Sequence, residues 1–135
     1  ANKTWVPYPF QANLAGLPPG VRSECASGFL AAYKKTLLAP EPAPWPEVFT
    51  HWTRRVFGDG ISKHFMLPYN AKLWQYPLER LTTEWCAPFV PTPSPETVLN
   101  GAYGRKSEIL GYNTVFNYPK RGGIGGRAKR FLGLE

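Results

Sequence analysis

The sequence predicts a mainly α fold, a small helical bundle with one or two short β-strands. Its 135 residues are the length of one domain and suffice for a hydrophobic core. In several segments apolar residues recur about every four positions, which is the spacing of one face of an α-helix. Fifteen prolines and 13 glycines separate these segments, so we expect short helices joined by rigid turns.

The first helix is predicted over Leu17–Leu38. Pro18 and Pro19 suit its start, because the N–H groups that they lack would be unpaired there in any case. The prolines of residues 39–46 end it. Its core-facing stripe has a spacing of four residues and consists of Val21, Cys25, Phe29, Tyr33 and Leu37.

A second helix is predicted from Pro46 to Gly58, which is a good C-terminal cap. Asp59 can cap a third helix, which we expect to stop at Pro68. Tyr69–Trp74 is predicted to be another short helical piece. The apolar positions of the second and third helices are Val48, Phe49, Trp52, Val56, Ile61, Phe65 and Met66.

A further helix is predicted behind Ser94, which serves as its cap, with Pro95 in its first turn and an exit at Gly101 or Gly104. The strand predictions are Thr114–Tyr118 and Val6–Phe10, both from apolar and aromatic content.

Charge and cysteine content narrow the class of protein. The net charge is +7, and seven of the 16 basic residues fall between Arg105 and Arg130. Such a tail can bind nucleic acid, meet a phosphate-bearing small ligand or simply keep the domain in solution.

Cys25 and Cys86 have no metal-ligand spacing, which favours free buried thiols in a cytoplasmic protein. No apolar run approaches the roughly 20 residues of a membrane span.

Glycines cluster between Gly122 and Gly126, where residues 123–128 fit the loose dinucleotide pattern G-x-G-x-x-G/A. A true fingerprint needs a buried strand before it and an acidic residue about 20 positions later. The residues before it, Tyr118–Arg121, are not a buried strand end, so we do not expect such a fingerprint here. The alternatives are a flexible turn into a helix, or a turn whose bare backbone approaches an anion or a flat ring.

The stretch His64–Leu81 concentrates aromatic residues around amides and a lysine. Stacking rings beside directed hydrogen-bonding groups would suit a pocket for a nucleobase or a sugar. The competing interpretation is that Phe65, Leu73 and Trp74 are core residues and that the polar ones are solvated. The chain carries no recognisable catalytic or metal-binding motif.

Three blocks, "YPFQANL" (Tyr8–Leu14), "FGDGISKHFMLPYNAKLWQYPLERLTTEW" (Phe57–Trp85) and "FNYPKRGGIG" (Phe116–Gly125), resemble the middle of flavoproteins related to UDP-galactopyranose mutase. That group belongs to a superfamily that includes the flavin amine oxidases. The resemblance implies that residues 1–135 are one helical substrate-binding domain, a fragment of a larger FAD-dependent α/β protein. The Rossmann-like domain that binds FAD would lie outside this chain.

The resemblance also implies roles for single residues. In the mutases a Y-T-x-K-x-W motif lines the uridine site, and Tyr69, Asn70, Lys72 and Trp74 match it, with asparagine for threonine. Met66 stands where the family places an aromatic residue. The glycine turn resembles the return path to the flavin domain, and its cofactor-facing residues are Gly122, Gly123 and Gly125.

One departure from the mutases concerns phosphate binding. The mutases grip the substrate phosphates with an arginine shortly downstream of this motif, whereas Cys86–Pro93 contains none. The expected parent is therefore an FAD-dependent oxidoreductase or mutase, and this chain alone is expected to be inactive and without bound FAD. Its expected partners are the FAD-binding domain of the parent and a small substrate, for which a nucleotide-sugar is one candidate. The alternatives are a mutase proper and a basic helical module that binds nucleic acid or another protein.

Overall fold

The computed structural model describes residues 4–39, 45–105, 117–118 and 120–133. A π-helical turn at Ser62–Met66 joins the second helix to the third, and single 3₁₀ turns lie at Phe10–Ala12 and Leu78–Arg80. Within these ranges there is no β-sheet, and one isolated bridge pairs Val48 with Thr82. The mainly helical prediction is confirmed. The helices are α1 (Pro19–Leu37), α2 (Phe49–Ile61), α3 (Leu67–Trp74), α4 (Cys86–Phe89), α5 (Pro95–Ala102) and α6 (Gly123–Phe131).

The predicted strand at Val6–Phe10 is wrong. The chain there is irregular and turns at Phe10, where the N–H of Ala12 donates to the Pro9 carbonyl at 3.1 Å. Pro7 and Pro9 lack the N–H donors that a sheet ladder needs. Of the other predicted strand, Thr114–Tyr118, the first three residues lie outside the described ranges and the last two are not in a strand.

Helix α1 confirms the first helical prediction, with Pro19 at its start. Its apolar stripe is buried only in the middle, where Cys25 and Phe29 are 0% and 1% exposed. Tyr33 and Leu37, at 40% and 67%, are exposed. The last turns of α1 therefore extend beyond the core.

Helices α1 and α2 approach each other backbone to backbone through glycines. Gly58 has φ 74° and kinks α2, as its predicted role as a helix end requires. A Cβ on Gly58 would overlap the carbonyl of Gly28, and one on Gly60 would overlap the carbonyl of Glu24. The absence of side chains at these two positions therefore sets the distance between the helices.

The predicted break at Pro68 is wrong. The chain continues from α2 through the π-helical turn into α3, and Pro68 occupies the first turn of α3. The wider turn shifts the hydrogen-bonding register ahead of the proline, so the missing N–H is tolerated. Helix α3 ends at Gln75, which has a left-handed conformation with φ 50°.

Helix α5 closes the core against the 3₁₀ turn of the N-terminal segment. Ser94 caps it as predicted, with Oγ accepting from the N–H of Thr97 at 3.1 Å. The carbonyl of Gly101 accepts from the N–H of Ala15 at 2.8 Å. Among the described residues, no helix is both long and apolar enough to cross a bilayer. The most deeply buried apolar side chains are Leu14, Cys25, Phe29, Phe49, Phe57, Ile61 and Val98.

Candidate functional site

A cleft of about 1120 Å³ lies beside the π-helical turn and α3. Residues from three stretches of chain line most of it: 4–11, 64–73 and 85–91. Its size is that of pockets that take drug-sized ligands.

A column of three aromatic rings forms one wall of this cleft. Phe10 stacks on Phe65 with centroids 4.6 Å apart and planes 6° apart, and Phe65 stacks on Tyr69 at 5.2 Å and 21°. Phe65 and Tyr69 are four residues apart, so they follow one another along one helical face. Tyr69 ends the column and remains 51% exposed, so a further flat ring can stack on it.

Asn70 connects Met66 and Trp74 through hydrogen bonds beside the aromatic column. It is 4% exposed, and its Nδ2 donates to the Met66 carbonyl at 2.8 Å. The indole Nε1 of Trp74 donates to Asn70 Oδ1 at 3.2 Å. Trp74 also packs edge-on against Trp85, with centroids 5.0 Å apart and planes 62° apart.

Four of the five predicted substrate-binding residues line the cleft, namely Met66, Tyr69, Asn70 and Lys72. Trp74 is absent from the lining but touches Asn70 and Trp85, which belong to it. The structure thus brings the predicted residues together, and their contact with a ligand stays a prediction.

Sequence reasoning missed three groups of the lining. The N-terminal segment contributes Trp5 and Gln11, and the Nε2 of Gln11 donates to the Pro91 carbonyl at 3.0 Å. His64 lines the cleft and is held by Glu24, which is 40 residues away. The indole Nε1 of Trp85 is buried and has no hydrogen-bond acceptor among the described residues. No local pattern marks any of these contacts, because each joins distant parts of the chain.

Two basic side chains contribute to the lining of the cleft. Lys72 and His64 line it, and the lining contains no carboxylate from the part of the chain that the structure describes. Such a cleft accepts an anionic or a neutral ligand more readily than a cation.

The glycine turn precedes α6. Gly122 and Gly123 have φ 73° and 56°, and a Cβ on them would lie 3.1 Å from Gly126 Cα and from the Tyr118 hydroxyl, respectively. The conformation of the turn therefore explains why glycine stands at both positions. A Cβ on Gly125 would meet nothing within 4 Å, which leaves space for a phosphate or a flat ring to approach the backbone. Contact of Gly122, Gly123 and Gly125 with a flavin stays a prediction.

Both cysteines are buried and free, as predicted. Burial raises the pKa of Cys25 to about 11 and that of Cys86 to about 12. Among the described residues, no group of three or more His, Cys, Asp or Glu side chains could hold a metal ion.

No protein-family model matches the chain. A crystal structure of reduced UDP-galactopyranose mutase matches it with a TM-score of 0.76 and 34% sequence identity. The chain is similar to one part of that mutase. The match covers 92% of this chain but only 26% of the mutase chain. It supports a fragment of a mutase-like protein, whereas the wider relation to amine oxidases stays a prediction.

Proposed function

We propose that this chain is the helical substrate-binding domain of an FAD-dependent protein related to UDP-galactopyranose mutase, and that the cleft binds a nucleotide-sugar. The observation that carries the proposal is the open face of Tyr69 at the end of the Phe10–Phe65–Tyr69 column. A planar base is the part of a nucleotide-sugar that stacks on such a ring.

The polar groups of the cleft complement this stacking face. Asn70 lines the cleft and keeps one amide hydrogen and one oxygen lone pair that can fix the orientation of a ligand. Lys72 adds a positive charge for phosphates. The chain's own part in the reaction is therefore to bind the substrate, orient it and exclude water.

FAD of the parent would supply the redox or nucleophilic chemistry. In this chain the turn of Gly122, Gly123 and Gly125 is the segment that would face it. The chain alone is inactive under this proposal. Because Cys86–Pro93 lacks the phosphate-gripping arginine of the mutases, an oxidoreductase acting on a related substrate is preferred over a mutase proper.

The partner of the domain is proposed to be the flavin-binding domain of the same parent. Helix α6 has no buried residue. Ile124, Phe131 and Leu132 are 69%, 91% and 65% exposed, and this apolar face is what such a contact would cover. We place the parent in the cytoplasm, because its free thiols fit a reducing compartment.

The test uses the full-length protein that contains this chain. We expect flavin absorbance bands in the purified protein and calorimetric binding of UDP-galactose. Tyr69→Ala should weaken that binding by about tenfold through the lost stacking partner. Tyr103→Ala is the matched control, since Tyr103 is 78% exposed and lies outside the cleft lining. A protein that has no flavin absorbance bands and does not bind UDP-galactose would contradict the proposal.

The second candidate function is nucleic-acid binding. The glycine turn and α6 carry Lys120, Arg121, Arg127, Lys129 and Arg130 on exposed backbone. Contacts to phosphates would make the affinity for DNA or RNA fall steeply with salt. Binding that survives at physiological salt and is lost in Arg127→Ala/Lys129→Ala would favour this function over the first.

A further inference from the structure

His64 is held at the cleft by a carboxylate from another helix. Its Nε2 lies 2.8 Å from Glu24 Oε2, and its side chain is 22% exposed. Three successive residues, His64, Phe65 and Met66, all line the cleft. The π-helical turn allows this, because its wider spiral places neighbouring side chains closer to one face than an α-helix does.

Glu24 pairs with two basic side chains through separate oxygens. Oε1 accepts from Lys63 Nζ at 2.8 Å, and Oε2 pairs with His64. These hydrogen bonds, first that of His64 and then that of Lys63, hold the pKa of Glu24 below its ordinary value. Side chains of Lys63 and Glu24 are 65% and 41% exposed, so the pairing itself adds little to stability. Its main effect is to orient the imidazole.

The orientation leaves the second ring nitrogen of His64 for a ligand. A carboxylate oxygen can only accept, so Glu24 keeps a proton on Nε2 and leaves Nδ1 as the ring atom that can meet a ligand. Nδ1 makes no hydrogen bond to any residue that the structure describes. Lys72 is the other basic side chain of the lining, and Thr4, Tyr8 and Tyr69 contribute its hydroxyl groups.

We propose that His64 donates a charge-assisted hydrogen bond to a phosphate of the ligand in the cleft, and that Glu24 is the positioning residue that holds His64 for this contact. The inference rests on the proposed function, because it takes the ligand to be a nucleotide-sugar. It assigns the phosphate contact that Cys86–Pro93, without an arginine, does not supply.

The experiment measures UDP-galactose and uridine binding by calorimetry in the full-length protein. Uridine has the base and the ribose without the phosphates, so it reports on the rest of the site. In His64→Gln we expect the dissociation constant of UDP-galactose to rise by about tenfold. The dissociation constant of uridine should stay within about twofold of its value in the unmodified protein, because uridine makes no phosphate contact that could be lost.

Three further variants test whether Glu24 acts by positioning His64. Lys63→Gln removes the other partner of Glu24 but no residue of the cleft lining, and it should leave both affinities unchanged. Glu24→Ala should weaken UDP-galactose binding, and Glu24→Gln should restore most of it, because the amide oxygen still accepts from Nε2.

Three outcomes would overturn the inference. One is native UDP-galactose affinity in His64→Gln. Another is an equal loss of uridine affinity in His64→Gln, which would show that His64 only supports the fold. If the unmodified protein binds neither ligand, the proposed function fails and the inference falls with it, whereas either of the first two outcomes leaves the proposed function standing.

Discussion

Trp74 and Asn70 contact each other: the indole Nε1 donates to the amide Oδ1 at 3.2 Å. Because Asn70 also donates to the Met66 carbonyl, residues 66, 70 and 74 form one hydrogen-bonded row along a helical face. Both side chains were predicted from the sequence to meet a ligand. Their first role in the structure is to hold each other and Trp85 in place.

Trp74→Ala in the full-length protein should weaken UDP-galactose binding by more than about tenfold without unfolding it. The loss would free Asn70 and Trp85, two residues of the cleft wall. Calorimetry gives the affinity and circular dichroism checks the fold. Trp45→Ala is the control, since Trp45 is 68% exposed and lies outside the lining. Native affinity in a folded Trp74→Ala variant would remove Trp74 from the site.

Gly60→Ala should lower the free energy of unfolding by about 2 kcal/mol or more. The new Cβ would overlap the backbone of Glu24, which cannot move without separating α1 from α2. Gly20→Ala, in the first turn of α1, is the matched control because its Cβ would meet nothing within 4 Å, and it should be neutral or stabilising. Urea denaturation compares the two, and equal stability of both variants would refute the close helix contact.

Arg55→Met should destabilise the chain by about 2 kcal/mol. Nε and Nη2 of Arg55 lie 3.0 and 2.6 Å from Glu47 Oε2, and the Glu47 side chain is only 10% exposed, so the substitution leaves a buried carboxylate unpaired.

The control for Arg55 is Arg54→Met, which removes an exposed pair with Asp59 at 3.7 Å. Its expected cost is below about 0.5 kcal/mol. The same denaturation experiment measures both. If Arg54→Met lowers the free energy of unfolding more than Arg55→Met does, the Arg55–Glu47 ion pair is not the more important of the two.

Both thiols should be unreactive toward Ellman's reagent in the folded chain at pH 8, and both should react in guanidinium. Burial raises the pKa of Cys25 to about 11 and of Cys86 to about 12. The folded state thus holds these protons more tightly than the unfolded state. Their contribution to stability is complete below the unfolded pKa of 9.0 and is lost as the pH rises toward the folded values.

Alkaline denaturation between pH 9 and 11 should therefore be less steep in Cys86→Ala than in the unmodified chain. Alanine removes the titrating group and keeps the site apolar. Rapid reaction of either thiol in the folded chain at pH 8 would show that the site is open to solvent.

The helices could be predicted where their signals are local. Three such signals depend on residues within a few positions of each other. They are the Ser94 cap of α5, the prolines at the start of α1 and the helix end at Gly58. The prediction at Pro68 is wrong because the effect of this proline depends on the π-helical turn before it, in which Ser62 and Met66 are buried. The proposed strand at Val6–Phe10 failed because two prolines outweighed its aromatic content.

By itself the sequence determined the helical class and most helix ends, because these follow from periodicity and from caps within one or two turns. The grouping of Tyr69, Asn70 and Lys72 is implied by the motif in which they resemble the mutases. Only the tertiary structure decided that Glu24 meets His64 and that the N-terminal segment and Trp85 complete the cleft. Those contacts depend on how closely α1 and α2 approach, and that distance is set by Gly58 and Gly60 against backbone 30 or more residues away.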